Sequence, residues 1–585
     1  MRLGSFKRNL KKEFKENYED NKRKKNRSIW IKLIPVYCVL GLIFLFGLFL
    51  GLDAIATNSY NSKYDDRISL YENVSYRKLD TITREEFKEY ASFAPRTSIF
   101  DQLKNIQMRG FGFSKADASM VEDEGYYETS PGLSEAQPDT YYETNNQEEG
   151  IVEADIAKFD GTYCYYITHN RFCIYRLDGT LVASRPINNN YGYYMPQPYK
   201  LQLYKNRIII LNDSVLEIYT FEDENLKLEK KIQYYSGVET RLADKYLYVG
   251  GCNGYSSSDE VPENLYYDML SRCGYIYSIE KIDLDTLDEK EVNLASGYGV
   301  TMYMSDTHFV ISNSSYIITP GKSMTLNSVF DLDLEPVGVF VSFGTILDQY
   351  SIDVYDNTLR VVSTGNSGNG VLNVLTIFDL KKKCVLSTLD SGIGLPGERV
   401  KSATFTDNKC YIVTFLQTDP LYEIDITDPK NPTIKNALKV KGYSSYLKTF
   451  NLYGEEYVFG AGIDNGYKYA IYKNDENLTQ IGKDYLLIEQ YEEYRNGRNY
   501  VAYRYADWMS INPHAMFFYQ KGDIIYFGAP FSENYYILYK IDVKAEEPIV
   551  KHLTIETETE TRVFLYEGKL YLPQEDKLII EDFVE

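Results

Sequence analysis

Residues 402–440 read SATFTDNKCYIVTFLQTDPLYEIDITDPKNPTIKNALKV, and this stretch decides the fold. An alternating apolar segment ends in the polar turn TDNK, and the strand-like run CYIVTF follows. A third strand, LYEI, leads into ITDPKNP, where Asp and Asn before Pro stop a strand by turn chemistry. Val, Ile, Tyr and Thr suit a pleated, half-buried surface, so the unit reads as a small antiparallel sheet. The unit recurs. Its first two strands are AKFDGTYCYYI at 157–167, LQLYKNRIIIL at 201–211, TRLADKYLYVGG at 240–251 and VTMYMSDTHFVIS at 300–312. Later copies are SIDVYDNTLRVVS at 351–363, KTFNLYGEEYVFG at 448–460, MFFYQKGDIIYFG at 516–528 and VFLYEGKLYLP at 563–573.

Starts spaced about 40 to 60 residues apart match four-stranded propeller blades. The expected fold class is therefore all-β, a β-propeller of four-stranded blades whose radial closure hides sheet edges. Nine starts are present, but the last leaves room for only two or three strands. Eight blades are expected, with the C-terminal piece completing a blade with N-terminal chain. Seven or nine blades are the alternative counts, and a solenoid or a row of sandwiches is the rival architecture. Three stretches exceed the blade length, at 253–272, about 313–324 and about 489–509. They read as loops on one face, where a rigid scaffold carries binding residues.

Composition points the same way. The 585 residues include 57 Tyr but only 2 Trp, and Tyr favours sheets. Lys+Arg of 63 against Asp+Glu of 84 gives −21, which excludes a nucleic-acid backbone as the main partner. A hydrophobic content of 44% excludes wholesale disorder. There is no P-loop, dinucleotide fingerprint, GxSxG elbow or HExxH motif, and four His leave little for zinc. No cofactor is expected, and binding is expected ahead of catalysis.

Leu33 to Leu52 (LIPVYCVLGLIFLFGLFLGL) are 20 residues without a charge, long enough to cross a bilayer core as a helix. The 32 residues before them hold 12 Lys+Arg against four acids, a net +8. The positive-inside rule puts that segment in the cytoplasm and the remainder, at about −29, outside. A cleaved signal peptide is the competing reading, with Ala54-Ile55-Ala56 as its one small-x-small site. The expected organisation is a basic cytoplasmic segment at 1–32, a transmembrane helix at 33–52 and an extracellular spacer with short helices at 53–113. An acidic flexible linker at 114–150 and the propeller at 151–585 complete it. Within the spacer, Thr83-Arg84-Glu85-Glu86 is a capping-box pattern with Phe87, Tyr90 and Ala91 on one face, and a second helix is expected at Ser98 to Met108.

Three ordered motifs carry a family resemblance. TNNQEEGIVEADIAKFDGTYCYYI (144–167) resembles the entry motif of a bacterial and archaeal family of secreted or membrane-anchored β-propellers, distantly related to WD-repeat proteins. LDQYSIDVYDNTLRVVST (347–364) and residues 398–447 resemble its later motifs. The chain departs from the pattern at Asn512-Pro513-His514-Ala515-Met516, where an acidic residue and a lysine flank the family's histidine, and at Ile151-Val152. The resemblance implies the fold; the family has no established activity.

The candidate ligand-binding residues are Asp155, Gln417, Asp419 and His514, expected around a central channel. Each also has a plainer reading. Asp419-Pro420 and Asp428-Pro429 are turn devices, and His514 is a hydrogen-bonding lock between blades. The clusters Asp283-Asp285-Asp288 and Asp331-Asp333-Glu335 lack EF-hand spacing and read as surface turns. Among the cysteines, Cys252 with Cys273 and Cys164 with Cys173 are possible disulfides, with buried free thiols as the alternative. Tyrosine doublets such as Tyr234-Tyr235 and Tyr535-Tyr536 suit either glycan contact or blade packing. The function expected is a membrane-anchored extracellular binding or scaffold module of the cell envelope, its ligand a protein or a wall polymer. The alternative is a hydrolase of wall polysaccharide or peptide using central carboxylates.

Overall fold

The computed structural model describes residues 12–24, 39–57, 75–92, 145–254, 262–296, 300–504 and 512–584, apart from 14, 42–43, 169, 188–198, 255–261, 263, 268–274, 320–321, 368–369, 416–418, 441–442, 464–465, 476–477, 484, 488, 496–497 and 532–534. The chain divides into two compact units, one made of 1–70 and 93–121 and the other of 71–92 and 122–585. In the first, Val39–Thr57 forms a helix of 19 residues with mean hydropathy 2.4 and an apolar stretch that is not buried. Among the described residues it is the one helix long and apolar enough to cross a membrane. It runs past Leu52, through Asp53, to Thr57.

The second unit is a ring of antiparallel sheets. Blades 1 to 8 cover 157–186, 200–233, 236–296, 300–343, 352–389, 399–440, 443–487 and 517–556, each a four-stranded meander at its heart. Blade 9, at 564–582, has three strands, Phe564–Tyr566, Lys569–Pro573 and Leu578–Asp582. The nine recurring starts supply the first two strands of these nine sheets. Neighbouring sheets pack face to face, as where Tyr303, Val310 and Phe340 of blade 4 meet Val361 and Phe378 of blade 5. The ring closes where Phe159, Tyr166 and Tyr175 of blade 1 pack on Phe564, Tyr571 and Leu578 of blade 9.

Two expectations need correction. The described residues form nine blades, the higher of the alternative counts and not the eight expected first, and the C-terminal piece does not share a sheet with N-terminal chain. Blade 9 is packed on both faces without a fourth strand. Leu570 and Leu572 pack on blade 8, and Phe564 and Tyr571 pack on blade 1. The N-terminal strand Val152–Glu153 pairs with Ser236–Ala243 of blade 3 instead.

The described parts of the three long insertions are mostly strands, not loops. Asn264–Tyr267 lies along the outer strand of blade 3, His308–Thr319 and Lys322–Asp331 form a long hairpin in blade 4, and Glu489–Arg495 pairs with Arg498–Arg504 between blades 7 and 8. In a meander, the link between second and third strands and the link to the next blade leave from the same end, so all three sit on one face of the ring.

Part of the expected spacer belongs to the propeller. Tyr76–Arg77 extends blade 4 along Pro336–Phe343, and Asp80–Thr83 pairs with Asn264–Tyr267 on blade 3. Gly338 makes room for the first of these, since a Cβ there would lie 2.3 Å from the Tyr76 ring. The helix Arg84–Ser92 follows with its capping box formed. Thr83 N–H donates to Glu86 Oε2 at 2.8 Å, and Glu86 N–H returns to Thr83 Oγ1 at 3.3 Å. Phe87 is fully buried against Leu265, Tyr267, Ile276 and Ala295. The expected helix at 98–108 and linker residues 114–144 lie outside the described residues.

Tyrosine abundance has a structural explanation in how blades join. Tyr166, Tyr175 and Tyr248 bury their rings between sheets while their hydroxyls reach the next blade. Tyr175 donates to Gln574 O at 3.0 Å, Tyr248 to Leu332 O at 2.8 Å, and Asn474 Nδ2 donates to Tyr411 at 2.7 Å. A ring that packs and a tip that bonds suits such a seam, and Trp offers no acceptor there.

Candidate functional site

The first strands of the blades converge on residues 145–155. This segment is a finger of two arms. Ile151 N–H donates to Glu148 O at 3.3 Å, and Gly150, at φ 75°, makes the exposed tip where an L side chain would be strained. Across the arms, Glu153 N–H donates to Asn146 Oδ1 at 3.0 Å and Gln147 N–H to Glu153 Oε1 at 3.3 Å. A segment this short touches so many blades only at the axis of the ring.

The first arm faces blades 4, 5, 7 and 8. Asn145 Nδ2 donates to Tyr446 Oη at 2.7 Å and to Pro513 O at 3.1 Å, and its Oδ1 accepts from Lys448 Nζ at 2.8 Å. Gln147 Nε2 reaches Gln349 O and Ile352 O, at 3.2 and 3.3 Å. Glu148 accepts from Tyr303 Oη at 2.9 Å. The second arm faces blades 2, 3, 8 and 9. Asp155 exchanges backbone hydrogen bonds with Leu201, and Gln202 donates to Val152 O. Glu153 lies 3.1 Å from His514 Nε2 and 3.7 Å from Arg241 Nε, and Gln349 Nε2 donates to it. Arg562, just before blade 9, grips Asp155 with Nε and Nη2 at 2.7–3.0 Å.

Electrostatics divides the arms. Burial opposes charge on Asp155 and Glu153, but the side chains facing them outweigh it. Arg562 and His514 hold Asp155 at about 2, and Arg241 and His514 hold Glu153 well below the usual carboxylate range. On the first arm, burial and the Asp353 charge push Glu148 up to about 8, against the Tyr303 hydrogen bond. Burial also lifts Asp353 to about 6 despite Arg360, and it lowers Lys448 to about 7. Lys448 keeps its amine against Asn145 and over the Phe518 ring, 4.8 Å from the centroid.

Two of the four candidate ligand residues, Asp155 and His514, meet in this hub, both facing side chains of the protein itself. Asp419 opens the strand Asp419–Asp425 in blade 6, paired with Val440, so it begins a strand and not the turn expected there. Gln417 lies outside the described residues. Turn chemistry does hold at the next motif, where Asp428 Oδ1 accepts from Lys430 N–H at 3.1 Å and Asn431 Nδ2 bonds Oδ2. Both acidic clusters are turns tied to neighbouring blades. Asp283 and Asp331 accept backbone N–H groups of their own turns, Lys205 pairs with Asp285, and Lys281 pairs with Asp333. Sequence reasoning missed Glu148, Glu153, Arg241, Lys448 and Arg562. The entry motif held the two acids, but nothing local marks the three cations.

The Cys164–Cys173 disulfide is not formed. The register sets Cys164 opposite Tyr175 and Cys173 opposite Tyr166, so the two thiols are diagonal neighbours, and Cys173 Sγ donates to Glu575 O at 3.3 Å. Burial raises both thiols, which keeps them protonated and unreactive. For the Cys252–Cys273 pair, Cys252 is buried at the end of blade 3's second strand and Cys273 lies outside the described residues.

The family model for the beta propeller domain matches residues 141–246 and 258–478, including the finger and the first six blades. This chain belongs to that β-propeller family. Among the propeller's relatives, an uncharacterized protein of Archaeoglobus fulgidus is 24% identical over 457 residues, 60% of this chain and 72% of that one. The uncharacterized protein MJ1554 of Methanocaldococcus jannaschii is 35% identical over 132 residues, 22% of this chain and 20% of its own length. Of solved structures, apo AztD from Citrobacter koseri matches 70% of this propeller chain and 95% of its own at 11% identity and TM-score 0.34. Kluyveromyces lactis Hsv2 matches 57% and 99%, at 13% identity and TM-score 0.31.

Proposed function

We propose that this propeller is a membrane-anchored display scaffold, held by its N-terminal helix with the ring outside the cell, which binds a protein or wall polymer through one face. The observation that carries the reading is the filled hub. Asp155 and Glu153 are engaged by Arg562, Arg241 and His514, which fixes the 151–155 arm to the blades around it and leaves the rim as the contact surface. The insertions of blades 3 and 4 and the ribbon 489–504 leave from a common face, which supports that face as the one presented. The apolar Val39–Thr57 helix and the basic segment before it support the anchor and its orientation. A hydrolase working through central carboxylates is the less favoured reading, because those acids already have partners.

The test is capture of envelope material by the tagged full chain and by two variants. Deleting 489–504 is expected to abolish or sharply reduce capture while the melting transition is kept, and Asp155→Asn, in whatever fraction folds, is expected to capture normally. Capture that survives the deletion but is lost with Asp155→Asn would move binding to the hub and overturn the reading.

A further inference from the structure

The two arms of the finger are held by different chemistry. The second arm carries permanent ion pairs, Asp155 with Arg562 and Glu153 with Arg241. On the first arm, Glu148 has no such partner. Its carboxyl accepts from the Tyr303 hydroxyl, which itself accepts from Val354 N–H at 3.0 Å. The charges that act on it are acidic: Asp353 on blade 5, Glu153 on its own finger, which Arg241 of blade 3 faces, and the exposed Asp306 on blade 4. The nearby cation, Arg360, is engaged with Asp353 at 3.2 Å and with the Thr406 and Asp407 carbonyls. At the far end of the arm, Asn145 holds Lys448 of blade 7. Between the arms lie Glu149 and Gly150, both exposed, with Gly150 at φ 75°. They form a hinge point with no side chain locked into the hub.

We propose that the 145–148 arm is a hinged latch that leaves the hub when Glu148 loses its proton, while the 151–155 arm stays in place. Among three other acids the closed hub favours the neutral acid, which can still accept from Tyr303. Outside the hub the same group ionises freely in water. The sign follows from linkage. The closed latch raises Glu148 to about 8, so the proton's contribution to closure is complete below about 4.5 and is lost as pH rises to about 8. Opening attributable to Glu148 therefore grows by up to about tenfold per pH unit across that window and then levels. Lys448 works against it at higher pH, because the freed amine takes up a proton that the buried one has shed by about pH 7. The latch is thus loosest near neutral to mildly alkaline pH.

Hydrogen exchange of the full chain in detergent micelles, corrected for the intrinsic pH dependence, tests this with Glu148→Gln, which mimics the neutral acid. In peptides covering 145–150, the ratio of wild-type to variant opening should climb at least tenfold from pH 5 to pH 8, with 151–155 unchanged in both. Should Glu148→Gln fold poorly, Asp353→Asn removes the foremost neighbouring charge and must shrink the same climb. A ratio that stays flat with pH, or both arms opening together, would overturn the latch.

Discussion

Asp155 and Arg562 stand 407 positions apart in the chain and meet as a fully buried, two-pronged pair. Breaking such a pair from one side leaves a bare buried charge, which costs about 3–5 kcal/mol. Arg562→Met is expected to lose stability of that order at pH 7 in denaturant titrations. The deficit should narrow toward pH 4, where the orphaned Asp155 takes up a proton. Lys448 gives the opposite case. Its amine is lowered to about 7 by burial, so the wild type loses stability relative to Lys448→Met as pH falls from about 10 to 7, by up to about 1.4 kcal/mol per unit. Below pH 7 the difference should be constant, and a difference independent of pH throughout would contradict the assignment. Asp155 and His514 were legible because they sit in motifs with a recognisable texture. Arg562 was not, since ETETETR (556–562) reads as ordinary polar surface and its partner belongs to another part of the chain.

At the scale of elements, strand starts were legible because alternation and turn residues are local signals, and all nine starts fell on the first two strands of a sheet. The capping box at Thr83 was equally local. The edge strand Tyr76–Arg77 was not, because two residues carry no periodicity, and its place depends on the room left by Gly338. The choice among seven, eight and nine blades stayed open for a related reason. Whether a three-stranded piece borrows a strand or stands alone depends on where the N-terminal strand pairs, here on blade 3, which no single stretch reveals. Phe87 fixes the strap of residues 75–92 to blade 3. Phe87→Ala should cost about 3–5 kcal/mol locally. Hydrogen exchange should show it as lost protection over 80–92 with blades 1 and 9 unaffected. Global unfolding would contradict a strap that merely covers blade edges.

For the whole molecule, a nine-bladed ring must leave a wider axis than rings of fewer blades, and two passes of chain fill it. The finger contributes acids and amides where the blades contribute Arg241, Lys448, His514 and Arg562. The ring closes by packing, by this shared hub and by tyrosine links such as Tyr175 to Gln574, without a common strand. The rim then carries whatever the protein recognises. A density map of the full chain in a lipid nanodisc, viewed down the ring axis, tests the account most directly. It should show nine blades around two passes of chain, with the Asp155–Arg562 pair joining one pass to the last blade. An open axial channel, or a last blade completed by an N-terminal strand, would contradict it.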